Sequence, residues 1–167
     1  MMNTVINFAL YQLAWCLCVF LENTGALIAL PLLAVHLYLS PVRKADLRLM
    51  GLLLLTGLIL DGTMGVTGVL KFNVPARPIP FWLAVIWLSL AILPHHSLKW
   101  MKNRPVLSAL FGALGGPMAY YAGVRIGAAQ FGMGLYASLS LLAVAWALLW
   151  PVVMWYAKDD LGPEIDK

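Results

Sequence analysis

Long apolar runs, interrupted by short clusters of charge, proline and glycine, set the pattern of this chain. Six such runs lie near residues 4–21, 25–40, 49–70, 80–98, 105–124 and 134–157. Crossing a hydrocarbon core about 30 Å thick takes roughly 20 helical residues at about 1.5 Å each. The pattern therefore predicts an all-α protein, a polytopic transmembrane helical bundle of about six spans. It forms a single transmembrane domain over residues 1–157, with 158–167 as a short cytoplasmic tail. The second run is the weakest, at about 16 residues with Pro31 inside it, and should be tilted, shielded by neighbours or bent. The opening "MMNTVINFALYQLAWCLCVFLENTG" has no Lys or Arg ahead of its apolar stretch and no small-residue cleavage site. It is predicted to stay as the first transmembrane helix rather than to be removed as a signal peptide.

Composition agrees with the pattern. The 167 residues are 62% hydrophobic and 11% charged, against about 45–50% and about 25% in soluble domains. Cys16 and Cys18 are two positions apart in one run. On a helix they diverge by about 200°, which implies neither a disulfide nor a metal pair.

The net charge of +4 matters through its placement. With an even number of spans, one side collects Arg43, Lys44, Arg48, Lys99, Lys102, Arg104, Lys158 and Lys167. The other has Lys71, Arg77 and Arg125. Eight against three places both termini in the cytoplasm by the positive-inside rule. Such a collar attracts anionic membrane lipids and gives no reason to expect nucleic acid as a partner. Trp82, Trp100 and Trp155 fall near the predicted interfaces. No internal repeat supports an inverted-repeat transporter.

Asp61, in "GLILDGTMGVTG", is the costly residue. It lies 13 positions after Arg48 and 10 before Lys71, roughly 20 Å and 15 Å along a helix and so near mid-membrane. Insertion of such an aspartate costs about 2.5–3.5 kcal/mol, which the eleven Leu, Ile and Val of the same run offset by about 5 kcal/mol. Gly57, Gly65 and Gly68 fall within about 40° of Asp61 on a helix. A carboxyl on a glycine groove should face another helix. The expected partner is the fifth run, where Ala109, Gly112, Gly116, Tyr120 and Gly123 form a second stripe and Pro117 should kink the helix. Tyr120 matches Asp61 in depth, and Trp15 on the first helix comes close to it. Asp61 is then either hydrogen-bonded packing glue or a ligand-binding or proton-relaying carboxyl.

His36, His95 and His96 share a depth near the predicted inner face, and "HHSLKW" adds Lys99 with Arg104 beyond it. Structural, anion-contacting and metal-binding roles are all open to such imidazoles. The metal role is the least expected: His95 and His96 diverge by about 100°, and no acidic residue of this half is read as joining them. No metal or other cofactor is expected. Gln12 and Asn7 are candidates for a polar seam on the first helix, while Glu22 and Arg125 should be solvated at the outer interface. No GxSxG, Walker, GxGxxG or HExxH motif occurs.

From "NFALYQLAWCLCVF" through "LAVHLYLS" and "LILDG" to "HHSLKW" and "GGPMAYYAGVRIGA", the chain resembles the bacterial domain-of-unknown-function 2878 family of small inner-membrane proteins. The resemblance covers nearly the whole chain and implies no catalytic residue. It does imply genes set beside cyclopropane-fatty-acid-synthase-like methyltransferases, and so a lipid-modifying enzyme as partner. The expected function is that of a lipid- or small-hydrophobe-binding accessory factor. The competing readings are a small proton-coupled transporter, for which a homo-oligomer would supply the pore, and a membrane-embedded enzyme using Asp61 and the histidines.

Overall fold

A computed structural model describes residues 3–74 and 76–159. Its elements are α1 (Thr4–Leu39), α2 (Arg43–Val66), β1 (Leu70–Phe72), α3 (Phe81–Leu90), a 3-10 turn (Lys99–Met101), α4 (Pro105–Ile126), β2 (Ala129–Phe131) and α5 (Leu135–Asp159). The all-helical expectation holds apart from one short antiparallel ribbon, which pairs Leu70 with Phe131 and Phe72 with Ala129. The anticipated tail lies largely outside the described residues.

Among the described residues, three helices are long and apolar enough to cross a membrane: Thr4–Leu39, Arg43–Val66 and Leu135–Lys158, with mean hydropathies of 1.8, 1.8 and 2.0. The six runs do not become six such helices. The fourth run is helical only over Phe81–Leu90, ten residues, or about 15 Å. Its remainder, through "ILPHHS", is a series of turns. α4 is long enough, but Gly112, Gly115, Gly116, Gly123 and Pro117 dilute its apolar character.

The first two runs form one helical element that reverses at Glu22, where φ is 50° and ψ −128°. The contacts of its ends show the reversal. Asn7 donates to the Ile92 carbonyl at 3.1 Å and accepts from the Ser97 amide at 3.2 Å. The His36 and His96 rings lie 4.9 Å apart. In a straight helix Asn7 and His36 would be about 43 Å apart, yet both reach residues 92–97, a stretch that spans about 20 Å at most. The arms before and after Glu22 therefore run back along each other. Gly25 permits this, since a Cβ there would overlap the Leu17 carbonyl. At the tip Glu22 accepts from Asn73 at 2.9 Å, and Asn23 accepts the Trp82 amide at 3.2 Å. Positive φ is uncommon for a residue with a side chain, and these bonds hold it. Pro117 leaves α4 in one helical piece; the sharp bend is at Glu22 instead.

Inside, α4 packs most extensively on α5, and α3 fills the space against α1 and α2. Outside, apolar side chains stand free, among them Val66 at 79% exposure and Leu148 at 68%. Patches of that extent mark a surface that something apolar covers. Arg43, Lys44, Arg48, Lys99, Lys102, Arg104 and Lys158 flank the residues that gather at the His36 end. Lys71, Arg77 and Arg125 belong to the ribbon end.

Candidate functional site

Asp61 is fully buried on α2 with a donor for each oxygen. Trp87 Nε1 on α3 donates to Oδ2 at 2.7 Å, and the Tyr120 hydroxyl on α4 donates to Oδ1 at 2.6 Å. Tyr120 is the partner that matched depth led us to expect. Trp87 is not. An indole N–H in the middle of an apolar run needs an acceptor, and that was the available signal. The two glycine stripes do not face each other. A Cβ on Gly57 would collide with the Trp87 ring, whereas Cβ atoms on Gly112 and Gly116 would collide with Trp146 on α5. A glycine groove accepts a broad indole as readily as a second helix: Gly57 takes the Trp87 ring and Gly116 the Trp146 ring, while Gly112 takes the α5 backbone itself.

From this anchor a series of rings extends into the bundle. Trp87 stacks on Trp146 at 5.4 Å and 13°, Trp146 lies 6.3 Å from Trp150, and Trp150 lies 5.9 Å from Phe111. Beside them opens a cavity of about 420 Å³ between the first arm of α1, α3, α4 and α5. Tyr11, Trp15, Trp87, Phe111, Tyr120 and Trp146 contribute to its walls. The volume falls within the usual range of small-molecule sites, about 300–1,000 Å³. Asp61 lies behind the wall, holding two of its aromatic side chains in place. Gly115 also lines the cavity, and a Cβ there would meet nothing nearer than Phe111 at 3.9 Å.

A second polar centre lies at the His36 end. Asp46, in the first turn of α2 and fully buried, gathers all three histidines. His95 Nδ1 is 3.1 Å from Oδ1, His96 Nε2 is 3.0 Å from Oδ2, and His36 Nε2 is 3.4 Å from Oδ2. Ser40 Oγ donates to Oδ2 at 2.5 Å. A helix N-terminus favours a carboxylate at this position. His95 Nε2 lies 3.2 Å from the Ala157 carbonyl, which also accepts from Lys102 at 2.9 Å. The cluster thus ties the second arm of α1, the start of α2, the turns after α3 and the end of α5 together.

Asp46 corrects the expectation that no acidic residue of this half joins the histidines. Set among Arg43, Lys44 and Arg48, it reads along the chain as part of a solvated charged loop, and only the packing turns it inward. The divergence of His95 and His96 assumed a helix. That stretch is turns, and both rings reach one carboxylate. Lys99 and Arg104 are exposed, and Arg104 lies 5.7 Å over the Trp100 ring. Trp15 lies on the cavity wall, and Trp82, expected at an interface, is 4% exposed.

A helical bundle with apolar outer faces, a sealed central carboxylate and an aromatic cavity is built as a membrane protein is, by the length and apolar character of three of its helices. The chain belongs to the DUF2878 family, described as "Protein of unknown function (DUF2878)", whose model matches residues 4–152. No curated protein matches the chain, and no solved structure does.

Proposed function

We propose that this protein is a binding protein of the bacterial inner membrane that holds a small apolar molecule, an acyl chain or a hydrophobe of similar size, in its aromatic cavity. It serves as an accessory to a lipid-modifying enzyme. The observation that carries this reading is the cavity of about 420 Å³ lined almost wholly by apolar and aromatic side chains. Transport or chemistry at Asp61 is the weaker reading, because both its oxygens are engaged and Trp87 and Tyr120 stand between it and the cavity.

Binding is tested with the full chain in detergent micelles and a fluorescent fatty acid that accepts energy from tryptophan. Saturable transfer at one probe per chain is expected. Gly115→Leu, at a cavity-lining position where a Cβ has room, should weaken it tenfold or more. Equal, unsaturable partition in both proteins overturns the reading. A deletion strain with unchanged membrane lipids overturns the accessory role.

Six crossings with both termini cytoplasmic belong to the same proposal. It is supported by the reversal at Glu22, which makes two arms of α1, and by the basic residues gathered at one end. Reporters fused at the C-terminus and in the 71–80 loop should then lie on opposite sides of the membrane. Reporters on the same side would defeat this topology.

A further inference from the structure

We propose that His36, His96 and Asp46 form a binding site for a divalent transition metal of the zinc or ferrous class. The site is separate from the cavity, and the proposal does not rest on what the cavity binds.

Two imidazoles and a carboxylate make a donor set suited to borderline cations. One ligand atom from each of the three residues lies within 4.8 Å of the others. Around a tetrahedral zinc, with metal–ligand distances of about 2.0–2.2 Å, neighbouring donor atoms sit about 3.3 Å apart. His36 Nε2 and His96 Nε2 stand 3.4 and 3.0 Å from Asp46 Oδ2. Small shifts bring these atoms onto such an edge.

Hydrogen bonding points the same way. His36 is fully buried; its Nδ1 has no hydrogen-bond partner among the described groups, and its Nε2 has only the ion-pair contact to Asp46, outside hydrogen-bond geometry. Its Nε2 is directed at the carboxylate from a distance of 3.4 Å. A buried imidazole with one nitrogen unpartnered and the other held only loosely is costly, and coordination through Nε2 would account for it. His95 presents a second puzzle. Its Nδ1 faces Asp46 Oδ1 and its Nε2 faces the Ala157 carbonyl, and both of those oxygens only accept. A neutral imidazole has one N–H and serves one of them. A cation in the cluster resolves the mismatch. With a metal beside Asp46, His95 Nε2 donates to Ala157, the backbone-carbonyl contact that orients metal-site histidines. His95 Nδ1 then carries only a lone pair, is repelled by the carboxylate oxygen and turns toward the ion as a further donor.

The consequence is a clamp. Three segments far apart in the chain meet at Asp46, and an ion there would hold the reversed α1 against the start of α2 and the turns after α3, with α5 joined through the His95–Ala157 contact.

The experiment uses the full chain in detergent, stripped with a chelator and then titrated with Co²⁺ or Zn²⁺. The expected result is one ion per chain, with a visible Co²⁺ band that Zn²⁺ bleaches. Midpoint unfolding temperature should rise with the logarithm of free Zn²⁺, as for any ligand of the native state. His36→Gln, His96→Gln and Asp46→Asn should each weaken binding more than about 100-fold, beyond the roughly 10–100-fold typical of outer-shell changes. His95→Gln should weaken binding by at least the roughly 10–100-fold of an outer-shell change. If a variant does not fold, X-ray absorption of the Zn²⁺-loaded wild type decides, with at least two imidazoles in the first shell expected. No Zn²⁺ uptake and no rise in unfolding temperature would overturn the site. So would stoichiometric binding that survives loss of all three residues, or a first shell without imidazole.

Discussion

Asp61→Ala should destabilise the bundle by about 2–4 kcal/mol, while Asp61→Asn should cost about 1 kcal/mol or less. The alanine leaves the Trp87 N–H and the Tyr120 O–H buried with no acceptor, and each orphaned donor costs about 1–3 kcal/mol. Hydrogen bonds between membrane helices average only about 0.6 kcal/mol, because separated helices find other partners. The penalty is larger here because both donors serve one carboxylate that is 0% exposed. Asparagine keeps two hydrogen bonds but reverses the one to Tyr120, whose O–H turns away from it on the part-buried cavity wall. Its carbonyl oxygen accepts from Trp87, an indole that only donates, and its amide donates to the Tyr120 oxygen, which also accepts. Unfolding in mixed micelles, followed by tryptophan fluorescence, measures both variants. Equal loss in the two would show that the negative charge, rather than the hydrogen bonding, is what the site needs.

Gly112→Leu should be more severe, costing at least about 3 kcal/mol, the upper part of the usual range for overpacking. A Cβ at Gly112 would run into the backbone carbonyl of Trp146, which cannot rotate aside as a side chain can. The helices must then separate along α4–α5, the most extensive pairing in the fold. Gly123 provides the contrast. It lies on the same helix with nothing within 4 Å of its would-be Cβ, so Gly123→Ala should be neutral or stabilising by up to about 1 kcal/mol through helix propensity. Yield of monodisperse protein and unfolding temperature in detergent separate the two. A Gly112→Leu protein as stable as Gly123→Ala would show that α4 and α5 do not pack in this register.

Much of the fold was legible along the chain because it follows from local composition. The apolar runs fall on α1, α4 and α5 and, displaced by four to six residues, on α2, since a run that must hide its backbone polar groups has few choices besides a helix. Their merging was not legible. A reversal confined to Glu22 depends on Gly25 lying against Leu17 and on bonds to Asn73 and Trp82 from distant segments. A prolyl kink is a local rule and was expected at Pro117, but α4 continues through that residue.

The candidate site divides in the same way. Asp61, Tyr120 and the three histidines stood out because polar groups in apolar runs are few and expensive. Depth along a helix was enough to pair Asp61 with Tyr120. Depth could not pair Asp61 with Trp87, or separate a glycine stripe facing a helix from one facing an indole, since both demand the same small residues. Asp46 was hidden by Arg43, Lys44 and Arg48, which give its stretch the look of a solvated loop.

By itself the sequence determined that the chain is helical, that its outer faces are apolar, and which polar residues need partners. Those properties follow from composition and spacing within single segments. Only the tertiary structure decided which partners they receive: Trp87 for Asp61, Asp46 for the histidines, Trp146 for the glycines of α4. Such pairings rest on contacts between residues tens of positions apart, and no periodicity within one helix encodes them.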